Sequence, residues 1–381
     1  MTILRDTSSQ SNAVSRCLIT WLLALLCNLA SAPTFAQERF LIQGIIDGEL
    51  YKTGDDSGLL SRNGGDLSVL GRLQLWSAFQ ISRGWQFYAM GEFETDDASG
   101  ERETEAELEQ IAFRYTSPSA AYFLEAGKIL SPLNAHSNRQ LSTQNPLIGQ
   151  SYLYSSSYPW GFQAAGSSGY LDYRAALLDR PDINPELSSI DPDPALRPAF
   201  GFGVTPFTGL RFGVSYTKGP YLNSQLNSTL PQGTDWRDFD LEIVGFDLQF
   251  SRGYFELNGQ LVVSKYEVPY YESSDYTGYY LELKYTWTPR FYGALRFQKL
   301  ETDYGNGGDY LYGADEPGRL TDLEVGLGYR FSPNILLKVA YRTDQWSVNP
   351  EPDYPISNGH SVALQLSWFF DLGSWFMEKP Q

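Results

Sequence analysis

The chain is poor in cysteine, histidine, lysine and long apolar runs. Its two cysteines, Cys17 and Cys27, both fall in the first 27 residues. The rest of the chain therefore has no thiol for a disulfide, a nucleophile or a thiolate metal site. That suits a protein that crosses an oxidising compartment before it folds. Two histidines, His136 and His360, leave little for metal binding or His-based catalysis, and neither sits in a nucleophile-elbow or protease motif. No phosphate loop, dinucleotide fingerprint or metal-ligand spacing occurs, so the sequence predicts no enzyme, cofactor or metal site. Lysine and arginine total 28 against 45 acidic residues. This excludes nucleic-acid binding, which needs basic patches.

A spanning helix needs about 20 consecutive apolar residues, and only the stretch Cys17–Ala30 comes near that. It follows Arg5 and Arg16 and precedes Thr34-Phe35-Ala36, which places small residues where a signal peptidase reads them. Residues 1–36 are thus expected to be a cleaved signal peptide. Arg5, Arg16 and Asp6 leave with it, so the remainder carries 26 basic residues against 44 acidic.

What is abundant is tyrosine, glycine and a period of two. Val69, Leu73, Leu75, Phe79 and Ile81 share one parity, against Arg72, Gln74 and Gln80. Leu323, Val325, Leu327, Tyr329 and Phe331 alternate with Asp322, Glu324 and Arg330. Tyr279, Leu281, Leu283, Tyr285 and Trp287 alternate with Glu282, Lys284 and Thr286. Such alternation predicts strands with one apolar and one polar face.

The breaks between strands decide between a soluble sandwich and a barrel. Short breaks fall at 82–84, 117–119, 168–169, 206–209, 251–253, 288–290 and 332–334. Long ones fall at 51–65, 95–103, 131–158, 179–198, 219–238, 269–275, 301–319 and 347–358. Long and short alternate throughout, which predicts 16 strands. Bacterial outer-membrane barrels have an even strand number, short periplasmic turns and long outer loops. The strand runs suit a tilted bilayer crossing, and aromatics such as Trp85, Tyr115, Trp287, Phe331 and Trp368 crowd their ends, as an interfacial belt requires. The predicted fold class is all-β: a transmembrane antiparallel β-barrel over residues 37–370, with a C-terminal extension at 371–381. Closure leaves no unpaired backbone edge in hydrocarbon, and a barrel of this size leaves room for water.

Two segments resemble the porin O/P family, often called phosphate-selective porins. They are Phe239–Pro269 (FDLEIVGFDLQFSRGYFELNGQLVVSKYEVP) and Tyr279–Leu300 (YYLELKYTWTPRFYGALRFQKL). Gly127–Pro132 (GKILSP) is similar to the family's Gly-Lys segment entering a long loop. The resemblance implies a porin, a homotrimer, and a third loop folded inward. It also implies an anion- or phosphate-selective alternative, against which stand only eight lysines in the whole chain. A plugged barrel serving as a receptor or structural protein is the other alternative. Expected partners are the lipid bilayer, lipopolysaccharide and small hydrophilic solutes or ions.

Short turns set hairpin register. Pairing about them places Arg72 opposite Glu94, Gln74 opposite Glu92, Glu282 opposite Arg296 and Glu324 opposite Arg342. Opposed charges of this kind contribute roughly 0.2–1 kcal/mol each. With Arg114, Arg174, Arg211, Lys284 and Lys338 they form the expected pore lining. Asn134, His136, Asn138, Arg139 and Gln144 in the long loop 131–158 are the expected constriction residues. Glu101, Glu103, Glu105, Glu107 and Glu109 occupy alternate positions, in parity with outward Ile111 and Phe113. Either a bulge near Gln110 turns Glu105, Glu107 and Glu109 into the lumen beside Glu92 and Glu94, or the column rises above the bilayer toward lipopolysaccharide. The sequence leaves both open.

Overall fold

The structure is a computed structural model and describes residues 40–55, 60–133, 139, 141–153, 158–179, 195–222, 224–270, 273–304, 318–348 and 358–372. The leader expected at 1–36 and the chain beyond 372 lie outside these residues, as do Asn134, His136 and Asn138.

Sixteen strands run in chain order: β1 Phe40–Thr53, β2 Ser68–Ser82, β3 Trp85–Asp96, β4 Glu103–Thr116, β5 Tyr122–Lys128, β6 Trp160–Ser168, β7 Leu171–Leu178, β8 Arg197–Phe207, β9 Leu210–Pro220, β10 Asp240–Arg252, β11 Phe255–Tyr266, β12 Ser274–Thr288, β13 Phe291–Tyr304, β14 Gly318–Ser332, β15 Ile335–Val348 and β16 Gly359–Asp371. Each pairs with its chain neighbours, and β1 pairs antiparallel with β16, so the sheet closes. Seven tight turns alternate with eight longer connections, as the spacing of breaks predicts. At the turn after β10, Gly253 has φ 62°, a left-handed conformation that a side chain disfavours.

The period of two becomes two faces. Ile46 and Leu50 on β1, Phe246 on β10, Leu281 on β12, and Val362, Leu364 and Leu366 on β16 point outward and are exposed. A closed sheet wearing such an apolar coat has its backbone satisfied internally and suits hydrocarbon outside. At the short-turn end, rings gather: Trp85 lies 5.1 Å from Tyr115, Trp287 5.0 Å from Phe291 and Tyr329 5.0 Å from Phe331.

The inward face is less uniformly polar than simple alternation predicts. Leu178, Ala199, Leu241, Ile243, Val262 and Tyr280 are inward and buried, packed with Ile129, Leu133 and Leu153. Those last three belong to the connection between β5 and β6, residues 129–159, here called loop L3. The barrel's apolar interior thus exists to seat a loop.

Candidate functional site

Register comes first, because it decides which side chains meet. Arg72 stands opposite Glu94, Gln74 opposite Glu92, Glu282 opposite Arg296 and Glu324 opposite Arg342. These are the four pairs that counting from the turns predicts. Arg72 reaches Glu94 at 2.6 Å and also lies near Glu92 at 3.6 Å and Glu49 at 3.9 Å. Gln74 donates to Glu92 at 2.6 Å.

The glutamate column resolves through a bulge. The β3–β4 register shifts between Met90 and Gly91: Met90 pairs with Gln110 but Gly91 with Leu108, leaving Glu109 as the extra residue. Beyond it Glu107 lies opposite Glu92 and Glu105 opposite Glu94. The bulge moves both carboxylates to the lumen face, and Leu108 takes the outer face. A carboxylate facing lipid would carry a heavy desolvation cost, and one extra residue avoids it. Lys128 offsets part of the crowding, reaching Glu107 at 3.3 Å and the Leu108 carbonyl at 2.7 Å.

Loop L3 enters the barrel, and most of its polar contacts fall on β11–β15. The Lys338 ammonium donates to the main-chain carbonyls of Ser142 (2.7 Å), Asn145 (3.1 Å) and Leu147 (2.8 Å). Glu324 accepts from the N–H groups of Ile148 (3.2 Å) and Gly149 (2.8 Å). Arg296 donates to the Gly149 carbonyl at 2.6 Å and to Glu324 at 2.5 Å. Gln298 accepts from Ser151 and from the Tyr152 N–H, at 2.9 and 3.1 Å. Arg139 pairs with Glu282, and the Arg342 guanidinium lies 4.6 Å from the centre of the Tyr152 ring. A Cβ on Gly149 would come within 2.6 Å of Arg342 Nη1 and 2.7 Å of Glu324 Oε2, so the loop approaches this closely only because that residue has no side chain.

This docking corrects one expectation. Glu282, Arg296, Glu324 and Lys338 point inward, but each is at most 1% exposed. Loop L3 lies over them. Charges spaced for a wet wall serve instead to hold a loop, and burial makes that strong: a charge-assisted hydrogen bond exchanges poorly with water once water is excluded. Arg342 is largely covered too, bound to Asp322 at 2.6 Å. Lys284 keeps partial exposure and pairs with Glu256 at 2.7 Å.

The opposite wall, β2–β9, carries the other cations. Arg114 bonds Glu125 at 2.8 Å, and its guanidinium sits 4.9 Å from the Tyr88 ring centre and 4.7 Å from that of Phe123. Arg211 bonds Asp172 at 2.8 Å and also Asp247. Arg174 makes no hydrogen bond or ion pair among the described residues. Direct-opposite pairing missed Asp172, Asp247, Glu125, Glu49 and Asp322. Arg211 faces Gln249 in register and reaches its acids diagonally, over Gly203 and Gly213, where any Cβ would collide with the fork. Those two glycines, in one row with Asp172 and Asp247 across β7–β10 and Gly213 two residues from Arg211, are the signal available in the sequence.

Between loop L3 and the wall of β2–β7 lies a cavity of about 440 Å³. Trp76, Tyr88, Arg114, Gln144, Tyr158 and Arg174 are among its lining. Gln144, one of the expected constriction residues, therefore faces this space, whereas Arg139 is turned away toward β12.

No protein-family model and no curated protein matches the chain. Solved structures do. OmpF of Salmonella typhi, solved in complex with daunomycin, superposes with a TM-score of 0.58 over 88% of this chain and 98% of that one. It is the porin fold. An anion-selective porin from Comamonas acidovorans gives the same score over 87% and 99% of the two chains. OmpT, an outer membrane protein of Vibrio cholerae, gives 0.55 in its trimer form over the same shares. Identities are 14%, 11% and 10% respectively. The porin fold is common to all of them, and at such identities the likeness concerns the fold.

Proposed function

We propose that this chain is an outer-membrane porin: a water-filled channel for passive diffusion of ions and small hydrophilic solutes. The observation that carries this reading is the lined cavity left beside loop L3 inside the closed barrel. Most of the loop's polar anchors, Lys338, Glu324, Arg296 and Gln298, belong to β13–β15, and the space remains on the side of β2–β7. The apolar outer coat supplies the membrane setting, and the porin fold of the superposed structures supports the same placement.

In this reading residues 1–36 direct export and are removed, and the barrel assembles as a homotrimer among lipid and lipopolysaccharide. The segments resembling the porin O/P family favour a place near that group. Phosphate selectivity is not favoured, because Arg72, Arg114 and Arg211 are each already neutralised by carboxylates. The mouth at the long-loop end is acidic instead, with Glu92, Glu94, Glu105, Glu107 and Glu109 against Arg72 and Lys128. Fixed negative charge at a pore entrance concentrates cations.

The test is single-channel recording of the purified chain in planar bilayers under a salt gradient. Stepwise conductance with a reversal potential favouring cations is expected. A folded, heat-modifiable barrel that never conducts would sink the channel reading, and an anion-favouring reversal potential would sink the charge assignment alone.

A further inference from the structure

The cavity beside loop L3 has a composition that a simple sieve does not require. Trp76, Tyr88, Phe123 and Tyr158 give it aromatic walls, while Gln110, Gln144 and Gln163 give it neutral amides. Of the two guanidinium groups lining it, Arg114 is spent on Glu125. Arg174 is not spent. The carboxylates nearest in the wall, Asp172 and Asp247, are both engaged by Arg211. The Arg174 stem runs alongside Gly201, near the Pro132 carbonyl at the root of loop L3, which aims the group at the cavity. A lone guanidinium fits one carboxylate with two parallel hydrogen bonds. A phosphate dianion would ask for more than one.

The opposite pole is negative. Tyr158 lines the cavity and hydrogen-bonds Glu109 at the bulge, and one Glu109 carboxylate oxygen is buried with no hydrogen-bond partner. Glu92 and Glu107 stand just beyond it on the mouth side. A solute arriving from the long-loop end therefore meets carboxylates first, aromatic faces next, and Arg174 last. A simple anion is repelled at the first step, and a simple cation finds nothing for it at the last. A molecule with a positive head, an apolar body and a carboxylate matches all three, and aromatic faces favour both the ammonium and the body.

We propose that this cavity is a binding site for small zwitterions with an aromatic or branched apolar body, of the α-amino acid or short-peptide kind, with the carboxylate on Arg174 and the ammonium toward Glu109. The assignment deepens the channel reading and rests on it for access from both mouths.

The experiment uses the full-length folded barrel and three probes of one shape: phenylalanine, 3-phenylpropionate and phenethylamine. Current block in bilayers and calorimetric binding in detergent are measured in parallel. Phenylalanine is expected to act at about tenfold lower concentration than either singly charged analogue, and Arg174→Gln to remove about that factor while Arg174→Lys restores part of it. Equal block by all three probes, or phenylalanine block that survives Arg174→Gln, overturns the site and leaves the channel intact. Phenylalanine binding without any conductance, lost in Arg174→Gln, retains the site and overturns the channel. If Arg174→Gln does not fold, the comparison of the three probes on the unaltered chain decides the matter.

Discussion

Glu324 on β14 accepts a hydrogen bond from the main-chain N–H of Gly149 at 2.8 Å, across 175 positions of sequence. The wall takes much of its hold on the loop's backbone, which leaves the Gln144 and Tyr158 side chains to line the cavity. The same logic governs Lys338, whose three acceptors are all carbonyl oxygens of loop L3.

Lys338→Met should therefore loosen loop L3 without touching the cavity. Three buried carbonyls lose a charged donor, and the docking should weaken by about 3 kcal/mol or more. The expected result is a noisier and larger single-channel current than that of the parent, with a barrel that still folds. An unchanged current would show that the loop is held elsewhere.

Gly149→Ala offers a smaller lesion at the same seat. Its Cβ would press on Arg342 and Glu324, and overpacking of this kind costs about 1–3 kcal/mol. Loop L3 should become cleavable by added protease in the detergent-solubilised protein, with the strands left intact. Arg296→Met should do more damage, since it strips both Glu282 and Glu324 of a buried cation. Loss of about 3–5 kcal/mol is expected, read as a lower temperature for the shift from the folded to the unfolded band on a gel.

Facing at the bulge can be read with thiols, because the only cysteines, Cys17 and Cys27, fall within the expected leader. Glu107→Cys and Glu105→Cys should react with a charged, membrane-impermeant thiosulfonate from the aqueous side. Leu108→Cys should react only with a lipid-soluble maleimide. Reversal of that pattern would mean the register does not shift at Glu109.

Acid should loosen the second outer connection. Asp97, just past β3, accepts from Ser68 Oγ at 2.7 Å and from the Val69 N–H at 2.8 Å. Chiefly the serine bond, then the amide, holds its carboxyl below the ordinary range. A carboxyl depressed in the folded state contributes stability that is complete above its unfolded value, near 3.9, and is lost as pH falls through the folded value. The hydrogen-exchange protection factor of the Val69 amide should drop across that acid window. Asp97→Asn should give a lower protection that no longer varies with pH there.

Much of the barrel was legible because its information is local. Ser251-Arg252-Gly253 marks a turn from its own residues, the parity of Leu281, Leu283 and Tyr285 marks an outer face, and counting back from Pro289 puts Glu282 against Arg296. Each inference spans a few residues or a single hairpin, within which strand geometry permits one answer. Glu109 shows where locality stops. Its column of glutamates conflicts with the lipid-facing parity of Ile111, and sequence can state the conflict but not choose between a bulge and an excursion above the membrane. The neighbouring strand chooses, by pairing the consecutive residues Met90 and Gly91 with Gln110 and Leu108 and so passing over Glu109.

Alternation and turn chemistry act between neighbours in the chain, so the strands, their even number, the long and short connections and the directly opposed pairs can all be read from the amino acids alone. That Glu282, Arg296, Glu324 and Lys338 clasp loop L3 instead of meeting water, that Arg211 takes two acids diagonally and that Arg174 is left over emerges only once the barrel closes. The clasp depends on how a closed sheet brings residues more than 140 positions apart within 3 Å, and the Arg211 fork joins acids 39 and 36 positions away; no period in the chain records those distances.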